Sequence, residues 1–438
     1  MSFGSNFLKK FSAKKYAWTF VIVFLSALII PAYFEKDTEY DYNPKAVEIK
    51  GSTITGYKDG KLSWLIKAEY VWTGRSKYLF RGTKISYGQL FDSNGKVIVD
   101  KLQAGKVRVN TKSKTLTAID NIVAHFKKRQ DRVSFSLNSH KPTGKENQSA
   151  KTITITSDEL RYYSNTKKTF LTKNVVITQE DAIIYPNEGI EIDNDKNIGF
   201  IEGGFVMKTD HYEVTGNKMT IYIDEEYSYI SGGVEARRVV EVTKNVAIDE
   251  RERDLKESET LLLCNSMSYS SVHENDIVTV SGNVSVIQKN KTFRADYGHY
   301  NKKNDYYELS GKVQVTADSL SWLLTKDSED FSNDDIKESL ERPVTVNARH
   351  LTFNATSKKL ELWGQVEVNQ NDKKVTCLKM VYDDPKNLVQ FSGDVKVKKD
   401  NTDTISCHLL KIDLNKEEFF AIQKVSSVFK LKNEEPKK

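Results

Sequence analysis

A four-residue pattern of the type Ser-Gly-x-Val recurs at regular intervals and constrains the fold more than any other feature of the sequence. Clear copies begin at Ser231, Ser281, Ser310, Trp363 and Ser392, and degenerate copies begin at Thr172, Glu202 and Ile422. The intervals between successive starts are 30, 29, 50, 29, 53, 29 and 30 residues, so five equal one unit and two equal one unit plus an insertion. Such a period is typical of repeat proteins, in which each unit packs mainly against its neighbours.

A second block precedes the quartet in each unit, most clearly at 346–353 and 375–382. Apolar or small residues occupy relative positions −2 and 0, and apolar or aromatic residues occupy positions +3 and +5. Because strand side chains alternate with a period of two, the odd step from 0 to +3 predicts a bulge or sharp bend. A polar turn then leads to a second strand, in which Leu362 and Val366 share one face. The repeat is therefore a bent β-hairpin of about 29 to 30 residues, and stacked hairpins predict an all-β antiparallel solenoid with an apolar interior.

The first 45 residues contain a candidate membrane anchor. Four lysines between Lys9 and Lys15 precede an apolar run from Ala17 to Phe34, and acidic residues follow from Glu35. The run is just long enough to span a hydrocarbon core of about 30 Å, and the lysines orient the N-terminus toward the cytoplasm. We therefore predict a basic cytoplasmic segment (1–15) and a single transmembrane helix (16–34). A cleaved signal peptide is the alternative, although 29–32 is a poor cleavage site.

Residues 43–126 follow the same β pattern less regularly. Asp-Gly at 59–60 and Asn-Gly at 94–95 mark turns, and 119–122 is a worn quartet that starts 53 residues before the next one. The stretch 127–151 is rich in turn residues and is predicted to be a linker. The expected domains are thus a first β domain (43–126) and a repeat domain (152–432), and the insertions at 237–260 and 318–342 are interpreted as surface excursions.

Two parts of the chain resemble proteins of lipopolysaccharide export. The charged N-terminus with its single span, the segment 56–68 and the hairpin at 92–95 resemble LptC. The repeats, in which Ala-Asp or Ala-Arg blocks alternate with Ser-Gly-x-Val-x-Val strands, resemble the OstA-like fold of LptA and of the periplasmic part of LptD. The chain departs from the usual pattern of these families because it joins both kinds of domain and carries long insertions.

The resemblance implies a V- or U-shaped antiparallel β-jellyroll whose apolar groove shelters acyl chains. It implies a periplasmic bridge component, anchored in the inner membrane, that passes lipopolysaccharide toward the outer membrane. The implied partners are lipopolysaccharide itself, the inner-membrane ABC transporter complex of lipopolysaccharide export, and an LptD-like or LptA-like protein joined by edge-strand pairing.

The inward positions of the quartet strands are the candidate groove lining. These are Val284, Val286, Val313, Val315, Val366, Val368, Val395 and Val397. Burying an acyl chain against such residues gains roughly 0.8 kcal/mol per methylene, so a groove of this kind holds lipid without any chemistry. The alternative is that the same valines fill a dry, packed core, and the sequence does not separate the two.

The three cysteines are interpreted as structural. Cys264, Cys377 and Cys407 occupy relative position 0, where other units carry Ala295 or Ala348. Cys377 and Cys407 are one unit apart, which corresponds to about 9.6 Å across two strand spacings and is too far for a disulfide. The histidines fall at different relative positions, so the sequence predicts no metal site and no cofactor.

Composition and motifs argue against two other classes of function. The net charge of +6 is modest and the charges are interspersed, which argues against nucleic-acid binding. The sequence contains no phosphate loop, nucleophile elbow or zinc-spaced cluster, so we predict that the protein is not an enzyme. A carbohydrate-active β-solenoid enzyme and a membrane-anchored structural protein or adhesin remain as alternatives.

Overall fold

The computed structural model describes residues 45–429 apart from Arg75 and the segments 129–151, 180–181, 239–257, 271–275, 320–337, 339–340 and 400–402. The predicted cytoplasmic segment (1–15) and transmembrane helix (16–34) lie outside the described residues, as do nearly all of the predicted linker and most of both insertions. Within the described part of the chain, no helix has the length and apolar character needed to cross a membrane.

The described chain is built of 26 β-strands in one antiparallel sheet, which confirms the all-β prediction. The strands are β1 (Val47–Lys58), β2 (Lys61–Thr73), β3 (Leu79–Phe91), β4 (Val97–Asn110), β5 (Thr115–Lys127), β6 (Thr152–Tyr163), β7 (Lys168–Thr172), β8 (Val176–Gln179), β9 (Ala182–Pro186), β10 (Ile190–Asp193), β11 (Ile198–Ile201), β12 (Phe205–Lys208), β13 (Tyr212–Gly216), β14 (Lys218–Tyr222), β15 (Tyr227–Arg238), β16 (Thr260–Ser270), β17 (Ile277–Gln288), β18 (Lys291–Asn301), β19 (Tyr306–Ala317), β20 (Val344–Asn354), β21 (Lys359–Gln370), β22 (Lys373–Asp383), β23 (Leu388–Lys399), β24 (Asp403–Asp413), β25 (Glu418–Ile422) and β26 (Ser426–Val428). Two short 3-10 turns, Lys302–Asn304 and Asp384–Lys386, connect neighbouring strands.

The strands form a continuous meander in which each leg pairs with the next. Several legs are interrupted, so that β7 and β8 both pair with β6, β13 and β14 both pair with β15, and β25 and β26 both pair with β24. The ladder also continues from β5 to β6 across the long connection between them. At about 4.8 Å per strand, stacking in this manner extends the interior steadily along the meander axis.

From β5 onward a corner divides the legs into two halves, and the quartets, which fall on alternate legs, form these corners. In β21 the second and third quartet residues, Gly364 and Gln365, have φ values of 83° and 61°. The worn quartet has the same geometry, since φ is 67° at Asp120 and 50° at Asn121. Two successive left-handed residues turn the strand sharply and re-aim its second half, which is the geometry of a bulge.

The extra residue of each bulge lies on the quartet strand rather than on the preceding block. Between β19 and β20, Ser310 pairs with His350 and Val313 pairs with Ala348, so two quartet residues face one block residue. The odd step predicted in the block is therefore real, because it is matched by one additional residue on the partner strand. Both strands then return their apolar side chains to the same interior.

A single apolar core occupies the interior formed by the two halves of the legs. One cluster of buried side chains extends from Trp64 in β2 to Leu410 in β24. The interior is thus one elongated compartment rather than a set of separate cores.

Candidate functional site

The floor of the interior follows the corners and alternates large with small side chains. Each quartet valine pairs with a residue at block position 0: Val234 with Cys264, Val284 with Ala295, Val313 with Ala348, Val366 with Cys377, and Val395 with Cys407. Because neighbouring strands approach closely at a corner, a small residue opposite a valine fills the space without overpacking. The floor explains why cysteine and alanine share one position of the repeat.

The cysteines are structural members of this floor. Cys264, Cys377 and Cys407 are buried free thiols. Burial raises the pKa of Cys264 and of Cys377 to about 11, so both thiols are protonated and unreactive at neutral pH. Among the residues that the structure describes, no group of three or more His, Cys, Asp or Glu side chains could hold a metal ion.

Two rows of side chains form the first wall of the interior between β16 and β25. The inner row is Met267, Val280, Gly298, Leu309, Leu351, Leu362, Met380, Phe391, Leu410 and Ala421. The row above it, here called the aromatic row, is Tyr269, Val278, Tyr300, Tyr307, Phe353, Leu360, Tyr382, Val389, Ile412 and Phe419. The first wall is therefore apolar from its base to the tyrosine hydroxyls at its edge.

The opposite wall carries one long row of mainly aliphatic side chains. This aliphatic row is Leu262, Val286, Phe293, Val315, Val346, Val368, Val375, Val397 and Ile405. Together, the floor and the two walls make a trough along the stacked hairpins, and every residue in its rows except Gly298 contributes an apolar side-chain body.

The eight predicted lining residues divide between the floor and the aliphatic row. Val284, Val313, Val366 and Val395 are quartet valines and lie fully buried in the floor. Val286, Val315, Val368 and Val397 all lie in the aliphatic row, where Val315 is buried and the other three are half-buried.

The aromatic row was missing from the candidates named in the sequence. Its block-strand members, including Phe353 and Tyr382, occupy relative position +5, and the inner-row residues beside them occupy position +3. The periodicity had marked both positions as apolar. The missing information was that these positions and the quartet valines face each other across one interior, which follows from the corner in each leg.

The trough is open at its mouth in the C-terminal half. Apolar side chains near the edges of both walls are only partly buried there, as at Val278, Phe293, Leu360, Val375 and Val397. The largest fully buried side chains of the described chain, by contrast, all lie between Ile66 and Ile177. The same architecture therefore has a packed interior in its N-terminal half and solvent-accessible apolar walls in its C-terminal half.

Tyrosines give the open mouth an amphipathic edge. The rings of Tyr300 and Tyr307 stack with centroids 4.4 Å apart, and burial raises the pKa of both hydroxyls, so they stay neutral donors. The Tyr382 hydroxyl donates to Asp384 Oδ1 at 2.8 Å, and the Tyr269 hydroxyl donates to Asp276 Oδ1 at 3.1 Å. The ring bodies thus line the interior while the polar tips lie among the turn residues.

The mouth of the N-terminal half is closed by contacts between its two rims. The first rim comprises the turns at 111–114, 164–167, 194–197 and 223–226. The second comprises the turns at 59–60 and 92–96, the adjoining start of β2 and end of β3, and the end of β5. Lys167 Nζ, on the first rim, donates to Ser63 Oγ at 2.8 Å and to the Phe91 carbonyl at 3.2 Å on the second rim. The Ser63 hydroxyl also bonds to Tyr162 at 2.9 Å and to Ser164 at 2.6 Å.

Further polar contacts extend this closure, here called the seam, along both rims. Ser93 donates its backbone N–H and its hydroxyl to the Asp195 carboxylate at 2.8 and 2.7 Å. Lys58 Nζ donates to the Asn165 carbonyl at 2.8 Å, and Lys128 Nζ forms an ion pair of 2.8 Å with Glu226. The seam therefore spans the rims from β1 to the turn before β15.

Burial perturbs the groups at the centre of the seam. Lys167 is only 4% exposed, and burial lowers the pKa of its ammonium group. Burial raises the pKa of Tyr162 to about 12, although hydrogen bonds from Ser63 and Ser164 oppose the shift. Both shifts have the direction expected for charged forms taken out of water.

Comparison with known proteins gives one family and a set of solved structures. Residues 263–417 match the family model described as LptA/(LptD N-terminal domain) LPS transport protein. One similar solved structure is LptH, the LptA-homologous periplasmic component of the lipopolysaccharide transport device of Pseudomonas aeruginosa, with 16% identity over 30% of this chain and 82% of that one and a TM-score of 0.24. That structural similarity is too low to support an argument, and the chain matches no curated protein.

The matched family agrees with one expectation from the sequence and with one feature of the structure. Its members are lipopolysaccharide transport proteins rather than enzymes, as predicted for this chain. The matched residues also coincide with the open trough, from β16 to the turn before β25. The similarity of this chain to the LptA and LptD N-terminal family of lipopolysaccharide transport proteins is therefore carried by residues 263–417.

Proposed function

We propose that the protein is a lipopolysaccharide-export component that binds lipid acyl chains in the open trough and passes them toward the outer membrane. The observation that carries the proposal is the half-burial of apolar side chains on both walls of the trough, as at Leu360 on the first wall and Val397 on the opposite wall. Such surface is costly to leave in water, and its exposure over successive repeats indicates a binding surface rather than an isolated defect.

The physical basis of binding is hydrophobic burial. Each methylene of an acyl chain that leaves water gains roughly 0.8 kcal/mol, so a chain of about twelve methylenes gains roughly 10 kcal/mol before the cost of ordering it. Because the wall rows recur with every strand at about 4.8 Å, neighbouring positions along the trough present nearly equivalent surfaces. A lipid can then move along the trough without losing its apolar contacts.

The tyrosine edge suits an amphipathic ligand. Aromatic rings with polar tips are favoured where an apolar phase meets water. Acyl chains would contact the rings of Tyr300 and Tyr307, while the sugar and phosphate groups would remain in water beyond the hydroxyls. This orientation requires no covalent step and no cofactor.

The proposed setting joins the trough to the cell envelope. The predicted anchor at 16–34 would hold the chain at the inner membrane beside an ABC transporter complex, with the bulk in the periplasm. Residues 43–126 would act as the LptC-like domain, 127–151 as the linker, and 152–432 as the repeat domain. An LptD-like or LptA-like partner would extend the trough by pairing with a terminal strand.

In-cell photocrosslinking tests the proposal directly. A photoreactive residue is placed in the full chain at Val286, Val315, Val368 or Val397 of the aliphatic row. The matched controls are the outward neighbours in the same strands, Ser285, Gln314, Glu367 and Lys396. Lipopolysaccharide adducts from the inward set alone are expected. Absence of adducts from both sets, with the protein folded and export active, would reduce the trough to a structural scaffold of the kind found in an adhesin.

A further inference from the structure

The apolar interior of the closed N-terminal half is continuous with the open trough. The inner row of the first wall extends back through Ile230, Met219, Ile201, Ile190, Leu171, Leu160, Ala118, Val107, Gly82 and Val71. Successive members are paired, except that Ile201 and Ile190 each adjoin the pair formed by Phe200 and Glu191. The aliphatic row extends back in the same way through Ala236, Val214, Met207, Ile184, Ile177, Ile155 and Ala124. One pair of walls therefore bounds both halves.

The closed half differs from the open half in its seam. At the centre of the seam, the ammonium group of Lys167 is buried among hydroxyl and carbonyl oxygens from Ser63 and Phe91. A buried cation is a costly way to join two walls permanently, because apolar residues of similar size usually do so with equal or greater stability. Polar contacts differ from apolar contacts in that water replaces the lost hydrogen-bond partners when the two surfaces separate.

We propose that the N-terminal half is a second acyl-chain compartment and that the polar seam is its gate. This inference rests on the proposed function of the open trough. When the rims separate, the seam groups bond to water, and the wall side chains beneath them become available to acyl chains. Opening without a lipid would expose those walls to water, so lipid entry and rim separation are coupled.

A reversible cross-link across the seam tests the gate. The hydroxyl oxygens of Ser63 and Ser164 are 2.6 Å apart on opposite rims, so the double variant Ser63→Cys/Ser164→Cys can form a disulfide on oxidation. Each single variant is the matched control, because it alters the same polar network and has no second thiol on the opposite rim. A second double variant, Ser93→Cys/Asp195→Cys, lies at a more exposed point of the seam. It tests the gate independently if the first double variant does not fold.

The readout compares one probe position in each compartment. Phe126 lies fully buried in the closed half and Phe293 lies half-buried in the aliphatic row, so benzoylphenylalanine replaces the same residue type at both. The full-length chain is used in cells that export lipopolysaccharide. Lipid adducts are scored in the single-cysteine controls, in the oxidised lock, and after addition of dithiothreitol.

The gate predicts adducts at both positions in the controls, loss of at least tenfold at Phe126 alone in the oxidised lock, and recovery after reduction. Two outcomes overturn it while the proposed function stands. In the first, Phe293 captures lipid but Phe126 captures none in any state, so the N-terminal half is a dry sandwich. In the second, Phe126 captures lipid equally in the locked protein. Absence of lipid at both positions in the controls overturns the proposed function and this inference with it.

Discussion

Two separate physical effects favour glycine as the second residue of the clear quartets, and the structure offers a pair of variants that separates them. Gly364 has φ of 83°, and a Cβ added to it would lie 2.8 Å from Arg349 Cβ on the preceding strand. Gly233, the third residue of its quartet, has φ of 85° but meets no atom within 4 Å of an added Cβ. The variant Gly233→Ala therefore reports backbone strain alone, and Gly364→Ala reports strain together with a steric clash.

The expected costs follow from these two terms. A left-handed backbone costs an L-residue roughly 1 to 2 kcal/mol. Forcing atoms into a packed contact adds typically about 1 to 3 kcal/mol. We therefore expect Gly233→Ala to lower the free energy of unfolding by about 1 to 2 kcal/mol, and Gly364→Ala to lower it by about 2 to 5 kcal/mol. Other units support a low cost at the third position, because Asn283, Lys312 and Asp394 adopt positive φ there.

Urea denaturation of the full-length chain, followed by tryptophan fluorescence and by amide hydrogen exchange of the hairpins, measures both changes. Exchange is included because opening in a repeat protein is local as well as global. We expect the larger loss of unfolding free energy for Gly364→Ala, with faster amide exchange confined to strands β20 to β22. An equal or larger loss in Gly233→Ala would refute it, since the clash would then contribute nothing.

Three further predictions concern charge and the floor. Burial alone would raise the pKa of Asp100, but hydrogen bonds from Lys127, Gln89 and Tyr87 lower the pKa to about 2. The ionised carboxylate therefore stabilises the folded state fully above its unfolded pKa of 3.8. This contribution is lost as the pH falls through about 2. Asp100→Asn should flatten the acid limb of stability between about pH 4 and pH 2, measured by unfolding midpoints, and an unchanged limb would contradict the assignment. Cys377→Ala should lower the free energy of unfolding by less than about 1.5 kcal/mol, because Ala348 occupies the equivalent position of another unit. Cys377→Leu should lower it by about 1 to 3 kcal/mol, because the larger side chain overpacks the floor. Urea unfolding midpoints in the opposite order would show that this position does not limit side-chain size. The three thiols should resist a maleimide in the native protein at pH 7 and react on unfolding, so rapid native labelling would contradict their burial.

Much of the repeat architecture could be predicted from local sequence. The quartet motif located the left-handed corner residues from the worn copy at 119–122 onward, because two consecutive left-handed residues are a strictly local requirement. The position-0 slot was identified as small for the same reason, since Cys377 and Ala348 meet a valine at equivalent points of each hairpin. Alternation with a period of two then assigned the inward faces of the strands.

Two features of the candidate site did not follow from the sequence. The pattern marked positions +3 and +5 as apolar but did not show that they oppose the quartet valines across one interior. The seam was also missed, because its residues are polar, lie near turns, and look like ordinary solvated positions. Ser63 and Lys167 are 104 residues apart in the sequence, and neither belongs to a repeated pattern that would connect them.

The sequence by itself determined a stack of bent, antiparallel hairpins with an apolar interior, because side-chain alternation, corner geometry and small-residue slots depend only on neighbouring strands. The tertiary structure decided where that interior is closed and where it is open. The distance between the two rims controls this difference, and contacts such as Ser63 with Lys167 or Lys128 with Glu226 hold the rims together only in the N-terminal half of the described chain. Apolar residues at equivalent wall positions are thus packed in a core under the seam and half-exposed beyond it. Their burial depends on how close the opposite wall lies as well as on the residue itself.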